Sequence, residues 1–77
     1  MNFKQILVDI ARAIVDNPDM VTVEETEEGD DITLVLSVAE SDTGMVIGHH
    51  GKIAKAIRSI MKAAALNSGK HITVEIK

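Results

Sequence analysis

Near the start of the chain apolar residues return every three or four positions, at Phe3, Ile6, Leu7, Ile10 and Ile14, with Gln5, Asp9, Arg12 and Asp16 on the opposite side. That period predicts an amphipathic helix. Asn2 stands at a capping position with Gln5 three residues on, a capping-box-like start, and Arg12 is spaced for surface ion pairs with Asp9 and Asp16. Asn17-Pro18 ends the run, because the residue before a proline is pushed out of the helical region. From Met20 the period shortens to two. Val21 and Val23 face one way and Thr22 the other, acidic residues continue through Glu28, and Gly29-Asp30 supplies a turn. Ile32, Leu34, Leu36 and Val38 then alternate with Thr33, Val35, Ser37 and Ala39, so the two runs predict a β-hairpin.

Glu40-Ser41-Asp42-Thr43 offers cap residues for a short turn of helix over residues 44–47. From Lys52 a longer helix is predicted, with Ile53, Ile57, Ile60 and Ala64 on one stripe and Lys55, Arg58 and Lys62 on the far side, where the simplest reading of Arg58 and Lys62 is a solvated face. Asn67-Ser68-Gly69 ends it, with the glycine suited to the left-handed position after a helix. Ile72, Val74 and Ile76 alternate through a closing strand. Helix, strand, strand, short helix, long helix, strand is an α+β order, and 77 residues suffice for one domain, spanning 1–77, with a modest core.

Composition narrows the chemistry. The chain has no cysteine, so disulfides and thiolate metal sites are excluded and a cytoplasmic setting is expected. The apolar start is interrupted by Lys4, Asp9 and Arg12, which argues against a secretory signal, and no apolar run approaches membrane-spanning length. The net charge of −4 is unevenly spread: residues 1–47 hold two basic and eleven acidic side chains, while residues 48–77 hold six basic and one acidic. A local basic footprint matters more to nucleic-acid binding than the total.

That basic half opens with Val46-Ile47-Gly48-His49-His50-Gly51-Lys52-Ile53. A helix starting near Gly51 leaves its first N–H groups unpaired and carries partial positive charge at that end, which suits an anion. Gly48 and Gly51 let a sugar-phosphate chain approach the main chain and take positive φ at little cost. Lys52 and Lys55 add full charges. The fragment resembles the GxxG signature of KH RNA-binding domains, and the chain as a whole resembles the bacterial KhpA family of single-KH-domain proteins. The resemblance implies a type II KH fold with a three-stranded sheet packed on helices. It also implies a GxxG loop that grips RNA backbone, aliphatic groove residues such as Ile47 and Ile53, homodimers, and a larger KH-containing partner of the Jag type. KH loops commonly carry a basic residue between the glycines; here both are histidines, mostly uncharged at neutral pH.

Other constellations fail on particular residues. Val46 stands where both a Walker A loop and a dinucleotide fingerprint need their first glycine. The acidic cluster from Glu24 to Asp31 lacks the ladder of a calcium loop and reads as an edge guard. His49, His50 and His71 lack a carboxylate or cysteine at ligand spacing, and the serines have no histidine–carboxylate relay. Phe3 is the only aromatic, which disfavours modules that stack bases on aromatic rings. These exclusions leave a non-enzymatic, cofactor-free binding module, and the resemblance implies that it binds single-stranded RNA with low sequence selectivity, as an RNA chaperone or post-transcriptional regulator acting with a partner KH protein. Its binding residues are Ile47, Gly48, His49, His50, Gly51, Lys52, Ile53 and Lys55. The alternative is a KH-fold dimerisation scaffold, favoured by Leu66 on the polar side of its helix.

Overall fold

The computed structural model describes residues 2–77. Its elements run α1 (Phe3–Ile14), β1 (Thr22–Glu28), β2 (Asp31–Ser37), α2 (Thr43–Ile47), α3 (Lys52–Ala65) and β3 (His71–Ile76), with single 3₁₀ turns at Pro18–Met20, Glu40–Asp42 and His49–Gly51. The strands form one sheet in the order β1-β2-β3. β1 and β2 pair antiparallel around the Gly29-Asp30 turn, whereas β2 and β3 are parallel. A parallel pair requires a crossover, and the chain from Glu40 to Lys70 supplies it through α2, the glycine loop and α3.

Alternation places Ile32, Leu34 and Leu36 of β2, flanked by Val23 and Val74, on the sheet face that meets the helices. From the helical side come Phe3, Leu7 and Ala11 of α1, Val46 of α2, and Ala54, Ile57, Met61 and Ala65 of α3. The α1 period is as expected, though Ile6, Ile10 and Ile14 only flank the core that Phe3, Leu7 and Ala11 enter. Asn2 caps this helix by accepting the Gln5 N–H at 3.0 Å, but the Gln5 side chain turns forward to Asp9 instead of back to the cap. Arg12 lies 3.9 Å from Asp19 across the following turn, not against Asp9 or Asp16. The helix stops at Ile14 because Val15 becomes extended and is buried; Pro18 opens a 3₁₀ turn that delays the strand to Thr22.

The stripe expected on α3 is rotated. Ile57 is common to both descriptions, but Ala54, Met61 and Ala65 are the other buried positions, Ile53 and Ala64 only flank the core, and Ile60 is 49% exposed. α3 is apolar over two adjoining faces, and the small side chains of Ala54 and Ala65 let the helix lie close to its neighbours, which decides between them. Its C-terminus also differs from expectation. Gly69 (φ 77°) lies in the turn, not directly after the helix, and the Ala65 carbonyl is instead satisfied by the Ser68 N–H (3.0 Å) and hydroxyl (2.7 Å).

Two polar clamps fix the crossover. Asp42, which by sequence should cap the short helix, makes no cap bond; its buried carboxylate accepts from the Asp16 and Asn17 amides and the Asn17 side chain at 3.0–3.3 Å. The start of α2 is thereby tied to the end of α1. At the other end the Lys70 ammonium lies 2.8 Å from Glu27 and 3.8 Å from Asp30, holding the α3–β3 turn against the hairpin. The hydrogen bond to Glu27 raises the pKa of Lys70 above its ordinary value.

Candidate nucleic-acid interface

Four residues turn the chain between α2 and α3. Gly48 has φ 75° and ψ 178°, and Gly51 (φ 73°, ψ 14°) is left-handed. His50 is left-handed as well, at φ 56° and ψ 28°. For a residue with a Cβ that conformation costs about 1–2 kcal/mol, and histidine is among the few types that adopt it more readily than most. The two histidine rings meet edge to face, with centroids 4.1 Å apart, and both side chains are exposed.

The two glycines have different reasons to be glycine. A Cβ on Gly48 would lie 2.6 Å from Ile53 Cγ1 and 2.9 Å from the Ile53 backbone nitrogen. The space over Gly48 is thus filled from within, by the first turn of α3, and not kept open for a ligand as its place in the motif suggested. Gly51 has nothing within 4 Å of that position and needs only its left-handed φ. The open approach is on the Gly51 side.

The anion-facing donors also differ from the simple helix-terminus picture. The Gly51 N–H donates to the Gly48 carbonyl at 3.3 Å and the Lys52 N–H to His49, so two of the first N–H groups are used inside the turn. Among the described residues the amides of His49 and His50 have no backbone acceptor. They sit at the positive end of a 14-residue helix, beside the exposed side chains of Lys52 and Lys55. Ile47 (41% exposed) and the half-buried Ile53 bracket the loop with apolar surface. All eight residues singled out in the sequence therefore lie on or within one helical turn of the loop. Leu66 does not: it lies 14 residues past Lys52, about 21 Å along the helix axis, and is 77% exposed.

Sequence reasoning missed Arg58. Its Nε–H donates to the Val74 carbonyl at 3.2 Å, bridging α3 to β3, so it is not a freely solvated charge. Below it runs a groove of about 360 Å³ between the helix and the strand, lined by Arg58, Lys62, Leu66, Ile72 and Val74 among others. No periodicity could have shown this, because it depends on β3 returning beside α3.

The helix–hairpin–helix–loop–helix–strand order, the parallel β2–β3 pair and a glycine-bracketed loop leading into α3 define a type II KH domain. Residues 4–76 match the family model described as "KhpA/KhpB, KH domain", and the chain belongs to that family. It is 51% identical over 73 residues to a protein of Clostridium acetobutylicum named "RNA-binding protein KhpA", covering 95% of this chain and 97% of that one. It is 43% identical over 75 residues to the Bacillus subtilis protein of the same name, covering 97% and 93%. Among solved structures, Era in complex with a nucleotide and a segment of 16S ribosomal RNA superposes with a TM-score of 0.70 at 21% identity, over 96% of this chain and 28% of Era. That likeness is one of fold.

Proposed function

We propose that residues 1–77 act as one RNA-binding domain. It holds the backbone of single-stranded RNA at Gly48-His49-His50-Gly51, with Lys52 and Lys55 as outer electrostatic contacts and Ile47 and Ile53 as aliphatic surface for bases. The observation that carries this reading is the pair of unpartnered His49 and His50 amides at the N-terminus of α3, flanked by lysines. The relatives named RNA-binding proteins support it over nearly the whole chain. Backbone contacts carry no sequence information, so overall selectivity is low. The role is one of binding, not catalysis, in the cytoplasm, as an RNA chaperone or post-transcriptional regulator.

A second reading, which can coexist with the first, is a dimerisation scaffold. Leu66 and Ile60 are exposed apolar side chains of the α3 segment, and the rotated stripe leaves Ile60 outside the core. They suit a homodimer or a complex with a larger KH protein of the Jag type.

Replacing His49 and His50 together by Asp tests the first reading. Both glycines stay, and carboxylates at a helix N-terminus favour the helix by about 0.3–1 kcal/mol each, so the fold should hold. Toward phosphate the same groups repel by several kcal/mol at an effective dielectric of about 20. The expected result is an unchanged melting temperature with RNA affinity down at least about tenfold, or roughly 1.4 kcal/mol. Unchanged affinity in the folded variant would leave the scaffold reading alone.

A further inference from the structure

β3 has one open edge, and what that edge offers can be worked out atom by atom. His71 donates its amide to the carbonyl of Asp30, in the turn just before β2, and Lys77 donates to Leu36 of β2. In a parallel pair the N–H and C=O of one residue point to the same side and alternate residues point to opposite sides. The main-chain groups of Ile72, Val74 and Ile76 therefore face away from β2, toward the groove beneath α3. Arg58 confirms this at Val74 by reaching its carbonyl.

A bare strand edge presents at each outward residue one donor and one acceptor. That pair matches adenine, which offers an acceptor nitrogen beside an amino donor. At Val74 the acceptor is already taken. Arg58 spends Nε on the carbonyl and keeps its two terminal amino groups, and among the described residues it forms no ion pair. The edge at this point thus shows two donors side by side, the Val74 N–H and the guanidinium. Guanine is the purine with two adjacent acceptors, O6 and N7, where adenine has N7 beside an amino group.

We propose that Arg58, held by the Val74 carbonyl, is a specificity-determining residue that makes the β3 edge select guanine over adenine at one position of the bound strand. The inference rests on the RNA-binding reading above and deepens it. Arg58 lies six residues past Lys52, about 9 Å along the helix axis from the loop, within the reach of the four nucleotides that a KH loop clamps. The anchoring bond fixes the guanidinium before RNA arrives, which lowers the ordering cost of binding. One read base in a strand otherwise held by its backbone is compatible with low overall selectivity.

The test uses the full chain and short oligouridines carrying a single guanosine, adenosine or inosine, with affinities read by fluorescence anisotropy. The guanosine oligomer should bind about tenfold more tightly than the adenosine one, equivalent to about 1.4 kcal/mol, and inosine, which keeps O6 and N7, should behave as guanosine. Arg58→Lys keeps the charge but loses the planar fork; its salt dependence should match wild type while the guanosine preference falls to about twofold or less. Arg58→Leu frees the Val74 carbonyl and restores the donor–acceptor pair, so the order should invert toward adenosine. Equal wild-type affinities for guanosine and adenosine, in a protein whose binding is abolished by the His49/His50 double substitution, would overturn the role of Arg58 and leave the loop assignment standing. An undiminished guanosine preference in Arg58→Lys would do the same. Failure of the wild type to bind any of the oligomers would overturn both.

Discussion

β1 and β3 close the two sides of one three-stranded sheet, yet they present different faces to what approaches them. β1 shows Glu24, Glu25, Glu27 and Glu28, all exposed, and only Val23 enters the core. β3 lies under α3, with Arg58 and Lys62 over its open edge and the glycine loop at the far end of the same helix. A row of carboxylates protects an exposed edge from pairing with another strand; a roofed edge with cations above it invites a polyanion. The net negative charge of the chain is therefore no obstacle to holding RNA. The two edges are about 10 Å apart by strand spacing, beyond the screening length of about 8 Å at physiological salt, and Glu27, the β1 carboxylate that reaches the groove wall, is paired there with Lys70 at 2.8 Å.

The largest effects should separate residues that look alike. Gly48→Ala drives a Cβ into Ile53, backbone included, at positive φ; it should cost about 3 kcal/mol or more, while Gly51→Ala, with open space around it, should cost about 1–2 kcal/mol. Urea denaturation of the two variants reads the difference, and equal losses would show that Gly48 is not wedged by Ile53.

Next come the acids. Asp42→Ala leaves three donors around the Asp16–Asn17 turn without their acceptor and should cost about 2–3 kcal/mol. Glu24→Gln on β1 should change stability by less than about 0.5 kcal/mol. Thermal melts of the pair would contradict the division between the clamped acid and the edge acids if Asp42→Ala proved neutral.

The smallest effect belongs to the loop. Replacing His49 and His50 together by Gln keeps the main-chain N–H groups and removes the rings, so RNA affinity should change by less than about threefold, or roughly 0.7 kcal/mol. A loss of about tenfold or more with the fold intact would show that the histidine rings, not the amides, face the phosphate.

The order of elements was legible because each is strongly patterned: period 3.6 in α1, period 2 in β2, and punctuation at Asn17-Pro18, Gly29-Asp30 and Gly48/Gly51. What escaped was tertiary. Ser41-Asp42-Thr43 looks like a local cap, but the Asp42 carboxylate finds better partners 25 residues upstream. Ile60 and Met61 are equally apolar, and only the packing of Ala54 and Ala65 selects which one is buried. Arg58 has helical neighbours that mark it as surface; its carbonyl partner comes from a strand that its own helix cannot reveal. Of the site, the loop was visible in sequence, whereas the groove wall and the internal reason for Gly48 were not.

The central claim is that RNA lies along one side of the sheet and leaves the other untouched. An NMR titration of the full chain with a short single-stranded RNA tests it most directly. Amide shifts should concentrate in residues 44–58 and at Ile72, Val74 and Ile76, while Thr22 to Glu28 on β1 stay silent. Shifts on β1 equal to those at the loop, or no shifts at residues 44–58 at saturating RNA, would contradict the account.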